Sequence, residues 1–252
     1  QSAFALDAVL LELAYTAGPL LIAAAIALHS STAAMAVALL FLSLAVPLLF
    51  LSGGLAWRHR EAPARRHLLG PLAETRLLRL YATTIALCTA FGALEVGYPG
   101  FGRAVGHDPL GPLLIALNSI GSAVGGLVYG GLHLRRPLQR QLPIAMAFLA
   151  MPLFAHLPVG SPGGLAPRAF AACTLIAPSM TIVSLLVSRY APASSTTEAF
   201  TWSSTAIVTG VGVGMSLGGV LAERLGANGA FGLAAAAALV GAVLALSLRR
   251  AV

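Results

Sequence analysis

The chain has 252 residues, a length that would suit one or two soluble domains. Hydrophobic residues make up 58% of it and charged residues only 9%, where soluble domains carry about 25% charged, so it cannot cover a water-facing surface. Its 15 basic residues, all arginine, outweigh 8 acidic ones for a net charge of +7, and they sit in short gaps between long apolar runs, which points to lipid headgroups rather than nucleic acid.

Crossing a hydrocarbon core of about 30 Å takes roughly 20 apolar residues in a helix, and the sequence offers eight such runs: 6 to 28, 33 to 57, 80 to 102, 110 to 132, 142 to 159, 165 to 188, 200 to 222 and 229 to 248. None alternates with period two, so barrel strands are excluded and helices remain. The expected fold is an all-α polytopic membrane bundle of eight spans. Twelve arginines fall in one set of alternate gaps: Arg58, Arg60, Arg65, Arg66, Arg76, Arg79, Arg135, Arg136, Arg140, Arg189, Arg249 and Arg250. Only Arg103, Arg168 and Arg224 fall in the other set. By the positive-inside bias this predicts a multi-pass cell-membrane protein with the 58 to 79 loop and the C-terminus cytoplasmic.

An ionisable group inside a span costs at least about 2.5 to 3.5 kcal/mol, which makes it a functional candidate. In the first span these are Asp7 and Glu12, the latter also suited to a polar contact with another part of the protein. The basic loop at 58 to 79, with Pro63 and Pro71, divides the chain into two helices before it and six after it. In the third span Glu95 shares a helical face with Thr84, Cys88, Phe91 and Tyr98. That polar and aromatic stripe suits a cavity wall better than lipid. Glu95 reads as a proton-coupling or substrate-cation group, a structural hydrogen-bonded acid, or an interfacial residue. Asn118, mid-span in the fourth run, suits either a site or a hydrogen bond between helices.

His156, near the outer end of the fifth span, reads as an interfacial residue. The sixth span carries a stripe of Thr174, Pro178, Thr181 and Ser188. Glu198 stands with Tyr190 and Trp202 at a cytoplasmic edge, as a gate contact or a plain loop acid. Cys88 and Cys173 lie in apolar runs with no ligand at metal spacing, so neither a disulfide nor a metal is expected. Gly214-Met215-Ser216-Leu217-Gly218 spells the G-x-S-x-G of serine hydrolases but lies inside a span, and no histidine is expected at its depth. With no nucleotide-binding motif either, neither an enzyme nor a cofactor is expected.

The sequence also repeats. Gly121-Ser122-Ala123-Val124-Gly125-Gly126 in the fourth span matches Gly214-Met215-Ser216-Leu217-Gly218-Gly219 in the seventh. Each is the middle of a triplet of spans, so the second copy is inverted, as in the three-plus-three repeats of secondary transporters. Small residues at four-residue spacing also occur wherever two membrane helices pack closely. Close packing of the seventh span predicts that Gly214→Leu or Gly218→Leu lowers activity and stability together.

Three further stretches carry a family resemblance: Gly18-Pro19 in the first span, Gly130, Leu132 and Arg135 in the loop after the fourth span, where Arg136 follows, and Thr196 to Gly210. On these, and on span count and orientation, the chain resembles the major facilitator superfamily, and Thr196 to Gly210 is similar to actinobacterial-type efflux members. The resemblance implies a transporter of twelve helices in two halves. Residues 1 to 57 would be the last two helices of the first half, 58 to 79 the central loop, and 80 to 252 the whole second half. The chain begins with Gln1, so the first four helices would be missing as partners, and this piece alone is expected to transport nothing.

Departures from the family pattern are Ile22 and Ala23 in place of paired glycines, Leu134 in place of an acid and Pro137 in place of a glycine. The resemblance further implies that the third and sixth spans line a central cavity and that Gly18, Gly121, Gly125, Gly126, Gly130, Gly210, Gly214, Gly218 and Gly219 lie on helices at the contact between halves. The implied activity is proton-coupled efflux of a small organic solute by alternating access. Uptake by the same fold, a non-transporting scaffold or receptor, and an intramembrane serine protease are the alternatives.

Overall fold

The computed structural model describes Leu21 and residues 31–51, 70–107, 109–132, 134, 136–157 and 162–251. Contacts divide the chain into two compact units, Ala14–Arg66 and a larger one made of Gln1–Leu13 with His67–Val252. In the smaller, α1 (Ser31–Leu51) is apolar and carries Pro47 in its interior.

Within the larger unit, α2 (Thr75–Ala104) follows a helical turn at Gly70–Ala73, then come α3 (Leu110–Gly131), α4 (Leu138–Phe154), α5 (Pro162–Cys173), α6 (Ile176–Tyr190), α7 (Thr196–Leu225) and α8 (Ala227–Ser247). No strand occurs among the described residues. Five segments are long and apolar enough to cross a membrane: Thr75–Ala104, Leu110–Gly131, Gly163–Tyr190, Thr196–Leu225 and Ala227–Ser247. Eight spans were expected. The first, apart from Leu21, lies outside the described residues, the apolar stretch of α1 (Met35–Leu48) is short, and α4 has only 17 residues. The reason for the short α4 is chemical: Pro158, four residues beyond Phe154, has no N–H to continue the ladder. Arg103 and Arg224 stand in the last turns of α2 and α7, where a cation suits the helix dipole. Gly226, at φ +69°, makes the tight turn from α7 into α8 that a side chain would strain.

Contacts between helix ends fix an up-and-down arrangement. At one end Arg79 donates to Ser247 O at 3.2 Å, Tyr81 donates to Ala199 O at 2.9 Å, and the Arg76 guanidinium lies 5.8 Å from the Tyr190 ring centre. These gather the start of α2, the end of α6, the start of α7 and the end of α8. At the other end Gly111 abuts Pro99, and Arg168 donates to Ala155 O at 2.8 Å. The described members of the two arginine sets therefore lie at opposite ends of the unit.

The interior is apolar, as in a water-soluble bundle, but the outside is apolar too. Thr83, Thr84, Thr89, Asn118, Ser119, Ser122, Gln141, Ser179 and Ser203 are buried alongside leucines, alanines and glycines. Leu113, Leu127, Val128, Phe148, Met151, Val208, Leu217 and Val243 are exposed. Water would penalise so large an apolar surface, whereas lipid accepts it and leaves small residues and hydrogen bonds to hold helices together. In length, composition and surface, five of the described helical segments are compatible with a multi-pass membrane protein.

Candidate functional site

Two interhelix seams and one break organise the larger unit. In the first seam, the α7 glycines lie directly on α2. A Cβ at Gly214 would overlap Thr89 O and come within 2.9 Å of Ala93 N, one at Gly210 would lie 2.6 Å from Ile85 O, and one at Gly218 would lie 3.2 Å from Ala93 Cα. Gly92 of α2 reciprocates, since a Cβ there would overlap Val211 O. Thr89 Oγ1 adds a hydrogen bond to Gly210 O at 3.2 Å across the same seam. In the second seam, a Cβ on Gly121 of α3 would overlap Phe170 O, one on Gly125 would overlap Thr174 O, and one on Gly126 would lie 3.1 Å from Ala177 Cβ.

The repeated glycines are thus used in equivalent ways. The middle helix of each triplet rests on the first element of the other, α3 on α5 and α6, and α7 on α2. Of the glycines assigned by resemblance to a contact between halves, Gly121, Gly125, Gly126, Gly210, Gly214 and Gly218 serve packing inside the six-helix unit. Gly130 and Gly219 have nothing within 4 Å of the place a Cβ would take.

The sixth expected span, 165 to 188, is not continuous. α5 stops at Cys173 and α6 starts at Ile176. Pro178 explains the stop, because it lacks the N–H that Thr174 O would accept four residues on and its ring crowds that carbonyl. Thr174 Oγ1 turns back to Ala171 O at 2.9 Å, and the freed Thr174 carbonyl settles against Gly125, where only a glycine allows it. Non-helical backbone at membrane depth is tolerated where protein buries it or a cavity meets it. Here the break borders a groove of about 760 Å³ lined by Val128, Tyr129, Arg136, Gln141, Thr174 and Pro178 among others. Tyr129 donates to Gln141 Oε1 at 2.7 Å on its rim.

The α2 stripe is not one cavity wall. Thr84, Cys88 and Tyr98 are fully buried, Thr84 donating to Leu80 O at 2.9 Å, while Phe91 and Glu95 are half-buried. The cause is that α2 is the central helix of the unit, covered on most of its surface by α7 and α8, so only part of any stripe along it stays accessible. Glu95 has no hydrogen bond or ion pair among the described residues. Neither Glu95 nor Phe91 lines the groove at the break, which therefore unites Thr174 and Pro178 with α3 and α4 rather than with the acid. Thr181 is half-buried, donating to Ala177 O at 2.9 Å. Glu198 stands in the first turn of α7, where the helix dipole favours an acid. Glu12, Gly18, Pro19 and Arg135 lie outside the described residues.

Tyr98 belongs instead to a buried polar cluster. Its hydroxyl lies 3.4 Å from Asn118 Oδ1 and 3.3 Å from His156 Nε2. His156 Nδ1 is 2.7 Å from Pro152 O, and the Cys173 thiol donates to Asn118 Oδ1. Phe231 closes the cluster, its ring centre 5.6 Å from that of Tyr98 and 5.2 Å from that of His156. His156, expected at the interface, is in fact fully buried. It stands two residues past the end of α4, and no periodic pattern in the sequence reports that position. Asn118→Ala should cost about 1 to 3 kcal/mol by stripping the Cys173 thiol of that acceptor and Tyr98 of one of two partners. Thermal unfolding in detergent measures it, and an unchanged midpoint would deny the cluster any structural weight.

No protein-family model, curated protein or solved structure matches the chain.

Proposed function

We propose that the protein is a secondary transporter that moves a small organic solute across the cell membrane by alternating access, with proton-coupled efflux as the working direction. The observation that carries this reading is the crosswise seating of equivalent glycines, α3 on the broken α5–α6 segment and α7 on α2. Two triplets related in this way are the arrangement from which inverted-repeat transporters are built, and broken helices mark their sites. On this reading residues 80–252 act as one six-helix half of a transporter like those of the major facilitator superfamily. Residues 1–57 supply two helices of the other half and 58–79 connect the two on the cytoplasmic side. Membrane lipid, the solute and protons are its partners, and Glu95 is its coupling acid.

The test is reconstitution of the complete gene product in liposomes under an imposed proton gradient, with a panel of organic cations, acids and neutral solutes. Solute-dependent proton movement is the expected result. A folded protein that moves neither protons nor any solute of the panel would favour a scaffold or receptor.

A further inference from the structure

His156 is fully buried with a hydrogen-bond partner at each ring nitrogen. A carbonyl only accepts, so Nδ1, at 2.7 Å from Pro152 O, carries a hydrogen. In the neutral ring Nε2 is then bare and accepts from the Tyr98 hydroxyl at 3.3 Å. The same hydroxyl has a second acceptor in reach, Asn118 Oδ1 at 3.4 Å. That oxygen already receives the thiol of Cys173, the last residue of α5 before the break.

We infer that His156 is a buried proton-binding site whose loading loosens the hold on the α5–α6 break. A proton taken from water forms an Nε2–H bond on His156. Nε2 then donates instead of accepting, and Tyr98 Oη accepts from it. The Tyr98 O–H bond stays intact and rotates, directing its hydrogen to Asn118 Oδ1. There it shares the oxygen with the Cys173 thiol; two donors on one acceptor each bind it more weakly, so the end of α5 loses part of its anchor one residue ahead of Thr174. Each protonation state satisfies the imidazole, and the difference between the states falls on the break that borders the groove.

The charged and titratable groups facing His156 can be named element by element. From α2 come Tyr98 and, three residues before it on the same face, Glu95. Cys173 and Arg168 come from α5, the latter holding Ala155 O at 2.8 Å. The side from α3 is the neutral Asn118, and from α8 the ring of Phe231. Arg168 is thus the formal charge that acts on His156 itself, Glu95 reaches the site only through Tyr98, and Tyr98 is its positioning residue. The site does not depend on the transport reading, because nothing in it requires a solute.

The complete protein, labelled with ¹⁵N-histidine and purified in detergent, provides the test without a transport assay. The His156 nitrogens should give two unequal resonances at high pH, for protonated Nδ1 and bare Nε2, which converge as pH falls; His156→Gln assigns them. Over the same range, the ratio of amide exchange at residues 174 to 176 to that in Tyr98→Phe at the same pH should rise by roughly two- to tenfold, the equivalent of one hydrogen bond. In Tyr98→Phe the nitrogens should still titrate. A His156 that keeps a bare Nε2 down to the pH of unfolding overturns the site. A titrating His156 with no rise in that ratio overturns the coupling to the break. Neither result bears on whether the protein transports.

Discussion

Gly214→Leu is expected to unfold the larger unit or to leave it inactive and unstable in detergent. The space for even one added carbon at this position is taken by backbone, the Thr89 carbonyl on one side and Ala93 N at 2.9 Å on the other. Backbone cannot swing away as a side chain can, so α7 must rise off α2. Overpacking alone costs about 1 to 3 kcal/mol. Separation of the seam adds the loss of the Thr89–Gly210 hydrogen bond and of close backbone contact along three turns. Gly218→Ala should be far milder, since its nearest neighbour is Ala93 Cα at 3.2 Å and a shift of a few tenths of an ångström relieves it. Gly219→Ala, with open space around it, should be neutral or slightly stabilising through helix propensity. Thermal midpoints of the three variants in one detergent test the order, and equal midpoints for Gly214→Leu and Gly219→Ala would refute the seam. The companion seam predicts the same penalty for Gly125→Leu against Thr174 O.

How much of this is legible in the sequence depends on the kind of signal. Hydropathy locates the six helical segments after residue 79, because an apolar run of lipid-spanning length admits little besides a helix. It places their ends poorly. α2 starts at Thr75 and α7 runs from Thr196 to Leu225, both longer than the runs at 80 to 102 and 200 to 222, because hydropathy marks where lipid is and a helix continues past it until something stops it. Glu74 is such a stop at the start of α2, its carboxylate accepting from Arg76 N at 3.4 Å. The break at Thr174 is written in Pro178 but hard to read there, since proline inside a membrane helix is common and periodicity does not show whether the helix bends or parts. The glycine repeat is visible as letters, and its partners are not. A four-residue spacing says that something comes close, whereas only the packing says that α7 meets α2 and α3 meets α5. Tyr98 and His156 show the same limit, 58 residues apart and joined by one hydrogen bond that no local pattern encodes.

On the transporter reading, Glu95→Gln in the complete gene product should abolish gradient-driven transport and leave the fold intact. The side chain is half-buried in α2 with no hydrogen bond or ion pair among the described residues, so a neutral amide of the same shape loses no partner there. It also removes the cost of holding a charge at membrane depth, about 2.5 to 3.5 kcal/mol or more on insertion scales, so the thermal midpoint should stay level or rise. What glutamine cannot do is take up and release a proton as the protein changes its accessible side. In proteoliposomes the variant should still exchange solute at equilibrium, without accumulation under a proton gradient, and its exchange should lose the pH dependence that Glu95 imposes. The three roles open to this acid separate on one protein. A structural acid would show a lowered midpoint, a residue that pairs with a cationic solute would show weakened binding with the gradient response intact, and a coupling acid shows neither while uncoupling solute from protons. Undiminished accumulation in Glu95→Gln would remove the residue from the coupling mechanism and return the role to the ionisable groups elsewhere in the chain.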